Sequence, residues 1–137
     1  MIFVDTGAWI ALTDESDQYH IESIHIYKKL KEQNEKFITT DYIINETVTR
    51  LRYDSNHQIA IKFLELIAIS RNSGTLKIIY IDELLFEDAI FIFSIYDTAV
   101  LSFTDCASFA VCKKYRIHKA FAFDRHFTMM GITLCLA

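Results

Sequence analysis

The sequence predicts an α/β fold: a three-layer α/β/α sandwich around a mainly parallel five-stranded sheet. Short runs such as Ile2-Phe3-Val4, Phe37-Ile38 (closed by Thr39) and Ala120-Phe121-Ala122-Phe123 are apolar and do not alternate, as expected of strands buried on both faces. Between them lie longer stretches with apolar residues at helical spacing, and strands alternating with helices build parallel sheets with right-handed crossovers. The 137 residues suit one domain, 1–137, and the absence of proline and the presence of only three glycines leave nothing that marks a linker.

Taken in order, residues 2–4 form a first strand, closed by Asp5. Ala8 to Leu12 is a brief helix or turn, and Asp14 to Asp17 an acidic break. From Tyr19, the residues Ile21, Ile24, Tyr27 and Leu30 recur on one side and Lys28, Lys29, Lys31 and Glu32 on the other, an amphipathic helix to about residue 35. Phe37 to Thr39 is a second strand, after which Thr40 or Asp41 caps a helix carrying Ile43, Ile44, Val48 and Leu51. Gln58 to Arg71 is a further helix, ended by Asn72-Ser73-Gly74. Leu76 to Ile81 is a third strand, and Asp82 or Glu83 opens a helix to Ile95. A helix over Ser102 to Tyr115, a fourth strand over 120–123 and a short fifth over 131–134 complete the chain.

Composition narrows the function. A hydrophobic fraction of 52% argues against disorder. The N-terminus lacks the basic start and apolar core of a signal peptide, and the apolar region from Ala89 to Phe103 is broken by Asp97 and too short for a bilayer. The chain therefore reads as cytoplasmic, with no membrane. Cys106, Cys112 and Cys135 form no Cys-x-x-Cys pair and read as buried free thiols. A net charge of −4 argues against nucleic-acid binding by bulk charge, although Lys113, Lys114, Arg116, Lys119 and Arg125 crowd one region.

Candidate chemistry lies with the acids. Ligands of parallel sheets sit beyond the carboxyl ends of the strands. Asp5 and Asp124 each follow an apolar run, and Asp105 begins a helix that starts back at the same edge, so three distant acids converge. Asp105 has a second reading, because Ser102-x-x-Asp105 fits a capping box. A capping Asp105 turns back to its own helix; a ligand points across to Asp5. Asp41 and Asp82 also follow strands but read as helix caps. Glu46 lies inside its helix, either solvated or one turn below the strand edge and part of the site. Two carboxylates about 4 Å apart repel by about 4 kcal/mol at an effective dielectric near 20. A domain stable by only ~5–15 kcal/mol does not hold such a cluster without a cation. Oxygen ligands select a hard divalent ion, Mg²⁺ or Mn²⁺.

These residues have a familiar pattern. Val4-Asp5-Thr6, Asn45-Glu46, Ser102-Phe103-Thr104-Asp105 and Phe123-Asp124-Arg125-His126-Phe127 with Gly131 resemble the PIN-domain family, and within it the single-domain VapC-type ribonuclease toxins. The resemblance covers nearly the whole chain and implies that Asp5, Glu46, Asp105 and Asp124 are a catalytic, metal-binding quartet, with Thr6 and Thr104 as supporting hydroxyls. Gly7 stands where the family often has serine; Arg125 and His126 fit the pattern without a clear role. The resemblance further implies Mg²⁺-dependent cleavage of RNA, a small cognate antitoxin and a homodimer. Phe91, Phe93 and Ile95 lie in a helix segment read either as core or as part of a dimer or antitoxin surface. Two other functions compete. One is a catalytically silent RNA- or partner-binding domain of the same fold, which the complete quartet disfavours. The other is a flavodoxin-like phosphoacceptor domain, in which Glu46 and the Asp124-Arg125-His126-Phe127 stretch have no role.

Overall fold

The computed structural model describes residues 1–137. In chain order the elements are β1 (Ile2–Val4), α1 (Thr6–Thr13), α2 (His20–Glu32), β2 (Phe37–Thr40), α3 (Asp41–Asp54), α4 (His57–Asn72), β3 (Leu76–Ile79), α5 (Glu83–Ile95), α6 (Phe103–Lys114), β4 (Lys119–Phe121), α7 (His126–Met129) and β5 (Thr133–Leu134). The five strands form one sheet in the order β3-β2-β1-β4-β5, and every pairing is parallel. That order differs from the 2-1-3-4-5 of flavodoxin-like sheets, which removes the phosphoacceptor reading.

The topology follows from the apolar runs. β1 and β2 are buried at every residue, so both faces of the sheet's centre must be covered. The chain steps from β1 to β2 to β3 in one direction and then returns across the sheet to β4 and β5. Right-handed crossovers put α1 to α4 on one face and α5 and α6 on the other. Accordingly α1 packs against α2, α3 and α4, and α5 against α6. The core between these layers is strongly aromatic: Phe3, Trp9, Phe37, Phe63, Phe109, Phe121 and Phe127 are fully buried. Each such side chain contributes roughly 1.5–3 kcal/mol by leaving water.

Four strands differ from the sequence expectation: β2 runs one residue longer, β5 starts late, and β3 and β4 end early because a parallel strand ends where its partner ends. β3 stops at Ile79, opposite Thr40, because the next residue of β2's segment enters α3. The Ile81 N–H, left without a ladder partner, donates instead to Asp41 Oδ1 at 2.8 Å. Asp41 is therefore not the cap of α3. Thr40 is, with its Oγ1 accepting from the Ile43 N–H at 3.1 Å. Asp82 does cap α5, accepting from the Leu85 N–H. β4 stops at Phe121, whose carbonyl takes the Asp5 N–H at 3.1 Å as β1 turns into α1. Asp124 consequently lies three residues past β4 and does not follow it directly. β5 begins only at Thr133, after a turn in which Gly131 has φ +73°.

α7 has no helical periodicity in the sequence, being a single turn. It is held by Phe127, whose ring lies 5.9 Å from Phe3 and 5.2 Å from Phe109. On α5, Leu85, Ala89 and Ile92 are buried, whereas Phe91, Phe93 and Ile95 are all more than half exposed. The core reading of those three residues fails.

Candidate metal centre

Strand order reverses between β1 and β4, so the crevice beyond their carboxyl ends is the place where a sheet of this kind binds ligands. Asp5 stands at that point on the residue after β1, as the N-cap position of α1, but its side chain makes no capping bond. It is buried, 7% exposed. Burial pushes its carboxyl up from 3.8 to about 7, and the negative charges of Asp105, Glu46 and Asp124 push the same way, against a backbone hydrogen bond from Thr6. The three acids whose charge reaches Asp5 are the other members of the sequence quartet. The structure thus brings Asp5, Glu46, Asp105 and Asp124 together, and it leaves Asp41 and Asp82 in the local roles described above.

Asp105 turns back to its own helix and still lies next to Asp124 and His126. Its Oδ2 accepts the Ser102 N–H at 3.0 Å while Ser102 Oγ accepts the Asp105 N–H at 3.0 Å, a complete capping box. The same carboxylate lies in the acid cluster, its Oδ2 3.9 Å from His126 Nδ1. The capping box fixes the side chain and leaves Oδ1 for a ligand. An aromatic group holds this helix start in place: Phe103 packs on Tyr42 of α3 and on Phe86 and Phe93 of α5. Thr104 follows Phe103 in the first turn, half-buried, and its carbonyl accepts the Ser108 hydroxyl.

Glu46 is fixed from two sides. Thr6 Oγ1 donates to its Oε2 at 3.2 Å, and Arg50 Nη1 lies 3.8 Å from its Oε1. Thr6 therefore reaches the acids through Glu46. The Arg50 contact was legible as an i,i+4 acid–base pair, which the sequence reading passed over. Asp124 is tied to α7: its Oδ1 accepts the His126 N–H at 2.9 Å, and His126 Nδ1 lies 3.0 and 3.1 Å from its two oxygens. His126, given no role by the sequence, thus joins the site. Asp105, Asp124 and His126 each offer a ligand atom, all within 4.8 Å of one another. A buried carboxyl under the charge of three others, beside a tight group of two carboxylates and one imidazole, fits a hard divalent cation.

Gly7, Arg125 and the thiols are peripheral to this chemistry. A Cβ at Gly7 meets only Phe123 Cδ2 at 4.0 Å, so a serine fits there. Arg125 occupies the N-cap position of α7 beside Asp124. Cys106 and Cys112 are buried and Cys135 half-buried, and burial pushes the Cys112 thiol up to about 12. The cluster of basic residues divides: Lys113 and Lys114 close the last turn of α6 and Lys119 opens β4, all at the opposite edge of the sheet from the acids. No helix is long and apolar enough to cross a membrane.

Known proteins give a consistent picture. The PIN domain family pattern matches residues 2–132. The 23S rRNA-specific endonuclease VapC20 of Mycobacterium tuberculosis is 30% identical over 131 residues, covering 96% of this chain and 95% of its own length. The crystal structure of that protein, described as a sarcin–ricin loop cleaving toxin, superposes with a TM-score of 0.83 over 97% of each chain. The VapBC2 structure from Rickettsia felis, bound to a promoter DNA fragment, shares the fold at a TM-score of 0.69 with 9% identity, over 98% of this chain and 97% of that one.

Proposed function

The chain belongs to the PIN domain family, and from that membership we propose that it is a metal-dependent endoribonuclease, the toxin of a toxin–antitoxin pair. The observation that carries the reading is the convergence of four acids on the sheet's switch point, with the buried Asp5 carboxyl under the charge of the other three. Similarity to an rRNA-specific endonuclease over nearly the whole chain supports RNA as the substrate class. The nuclease domain of this proposal takes in residues 1–137, of which 2–132 match the family, and works in the cytoplasm.

Asp5, Asp105 and Asp124 would hold Mg²⁺ or Mn²⁺. Such an ion supplies charge neutralisation at a scissile phosphate and acidifies water. The protein's own groups prepare the place. Asp5 carries a proton for part of the time near neutrality and gives it up when a cation binds, so binding releases a proton. The capping box holds Asp105, and His126 holds Asp124 through both carboxylate oxygens. Glu46, steadied by Thr6, is the half-exposed carboxylate available to orient the attacking water. The silent-domain alternative has no support in this geometry, since no member of the quartet is displaced.

Two partners belong to the same proposal: a small cognate antitoxin, and a second copy of the chain packed on the exposed α5 face around Phe91, Phe93 and Ile95. Activity is tested with ribosomal RNA and Mg²⁺ or Mn²⁺, comparing wild type with Asp5→Asn and Asp105→Asn. Wild type cuts, both variants lose at least about a hundredfold in rate, and EDTA abolishes cleavage. Equal cleavage by all three proteins would refute the assignment.

A further inference from the structure

RNA must be held against an acidic site by a chain whose net charge is −4 and whose Lys113, Lys114 and Lys119 lie at the opposite sheet edge. The cations near the acids are Arg50, paired with Glu46, and Arg125, next to Asp124. Single-stranded RNA offers a second handle, the faces of its unstacked bases, which aromatic side chains recognise irrespective of charge.

Beside the acids stands an aromatic pair suited to this. The rings of Tyr19 and Phe123 are stacked with centroids 4.4 Å apart and planes 6° from parallel. Phe123 directly precedes Asp124, and its Cδ2 is 4.0 Å from the ideal Cβ position of Gly7, the neighbour of Thr6. The pair is rigidly backed. Phe123 sits edge-on to Phe121, which is fully buried in β4. Tyr19 stands at the entrance to α2, where its N–H donates to Asp17 Oδ1 at 2.9 Å and its carbonyl accepts the Ser23 N–H at 2.8 Å. One face of the Tyr19 ring is covered by Phe123, yet the residue remains 38% exposed. A core aromatic would be covered on both faces. The residues just before it, Ser16 to Gln18, line a polar cavity of about 370 Å³ that reaches Arg50, the partner of Glu46.

We propose that the Tyr19 ring, backed by Phe123 at the rim of the acid cluster, is a platform on which a nucleobase of the RNA stacks next to the phosphate that is cut. This rests on the ribonuclease assignment and adds a substrate-positioning residue to it. Tyr19 touches no reacting atom. It fixes the strand so that the neighbouring phosphate falls between Asp5, Asp105 and Asp124. The Phe123–Asp124 adjacency couples platform and ligand on one short segment.

The test uses the full chain in an Asp5→Asn background, with an RNA hairpin carrying the sarcin–ricin loop sequence and 2-aminopurine replacing one loop base at a time. At one position the parent quenches 2-aminopurine fluorescence on binding. Tyr19→Phe retains that quench and the affinity. Tyr19→Ala and Tyr19→Leu, the latter still covering Phe123, lose the quench and weaken binding about tenfold. With Asp5 restored, Tyr19→Ala raises KM more than it lowers kcat. Unchanged quench and affinity in Tyr19→Ala, or equal losses in Tyr19→Phe and Tyr19→Ala, would overturn the platform while leaving the nuclease standing. A wild type that neither binds nor cuts RNA overturns the nuclease assignment and the platform with it. Melting curves of each variant separate these results from misfolding.

Discussion

Asp5 is where the sequence and the structure are most tightly joined. An acid directly after a fully apolar strand is legible in the primary structure, and its burial follows from the strand's central place in the sheet. What burial does to it was not legible, because desolvation and neighbouring charge depend on residues far away in the chain. Raised from 3.8 to about 7, the carboxyl binds more protons in the folded protein than in the unfolded chain between those values. Stability of the ion-free protein therefore falls as pH rises from about 4 to about 7, by up to about 4 kcal/mol in all. Urea denaturation in EDTA at a series of pH values measures this. Asp5→Asn removes most of the slope and is the more stable protein at pH 8. A wild-type profile flat over that range would show that Asp5 is not under this strain. Other residues were harder to read. His126 carried no signal beyond its neighbour Asp124, since its place in the cluster depends on a single helical turn fixed by Phe127.

At the scale of elements, the sequence located α2 to α6 with misplacements confined to their ends, while α1 was read only as a brief helix or turn. Strand ends depend on partners, which is why β3 and β4 are shorter than their apolar runs. The start of α6 shows how one element can serve two purposes. The sequence posed capping and ligation as alternatives for Asp105; the geometry shows the capping box, which occupies one carboxylate oxygen and so leaves ligation by the other compatible with it. Ser102→Ala removes the acceptor for the Asp105 N–H and costs about 1 kcal/mol of stability. It also frees the helix start that positions Asp105. Cleavage falls further than a stability loss of that size explains, as judged at a temperature where the variant is fully folded. Activity equal to wild type under those conditions would mean that the box serves folding alone.

For the whole molecule, the strand order β3-β2-β1-β4-β5 places the switch point between β1 and β4, and the acids gather there from four separate segments. Fold class and this gathering were legible because strand-end position is a property of order along the chain. The surface was less so: apolar spacing on α5 could not distinguish Leu85, Ala89 and Ile92, which face the core, from the exposed Phe91, Phe93 and Ile95. An apolar patch of this kind calls for a partner. Sedimentation equilibrium is expected to show a dimer for wild type and a monomer for a Phe91→Glu, Phe93→Glu double variant with an unchanged circular dichroism spectrum. A monomeric wild type would exclude a second copy as the occupant. The most direct measurement of the central claim, that Asp5, Asp105 and Asp124 form one cation site, is a Mn²⁺ titration followed by electron paramagnetic resonance. Wild type binds Mn²⁺, and Asp5→Asn, Asp105→Asn and Asp124→Asn each weaken it by at least about tenfold. Binding of equal strength in all four proteins would contradict the account.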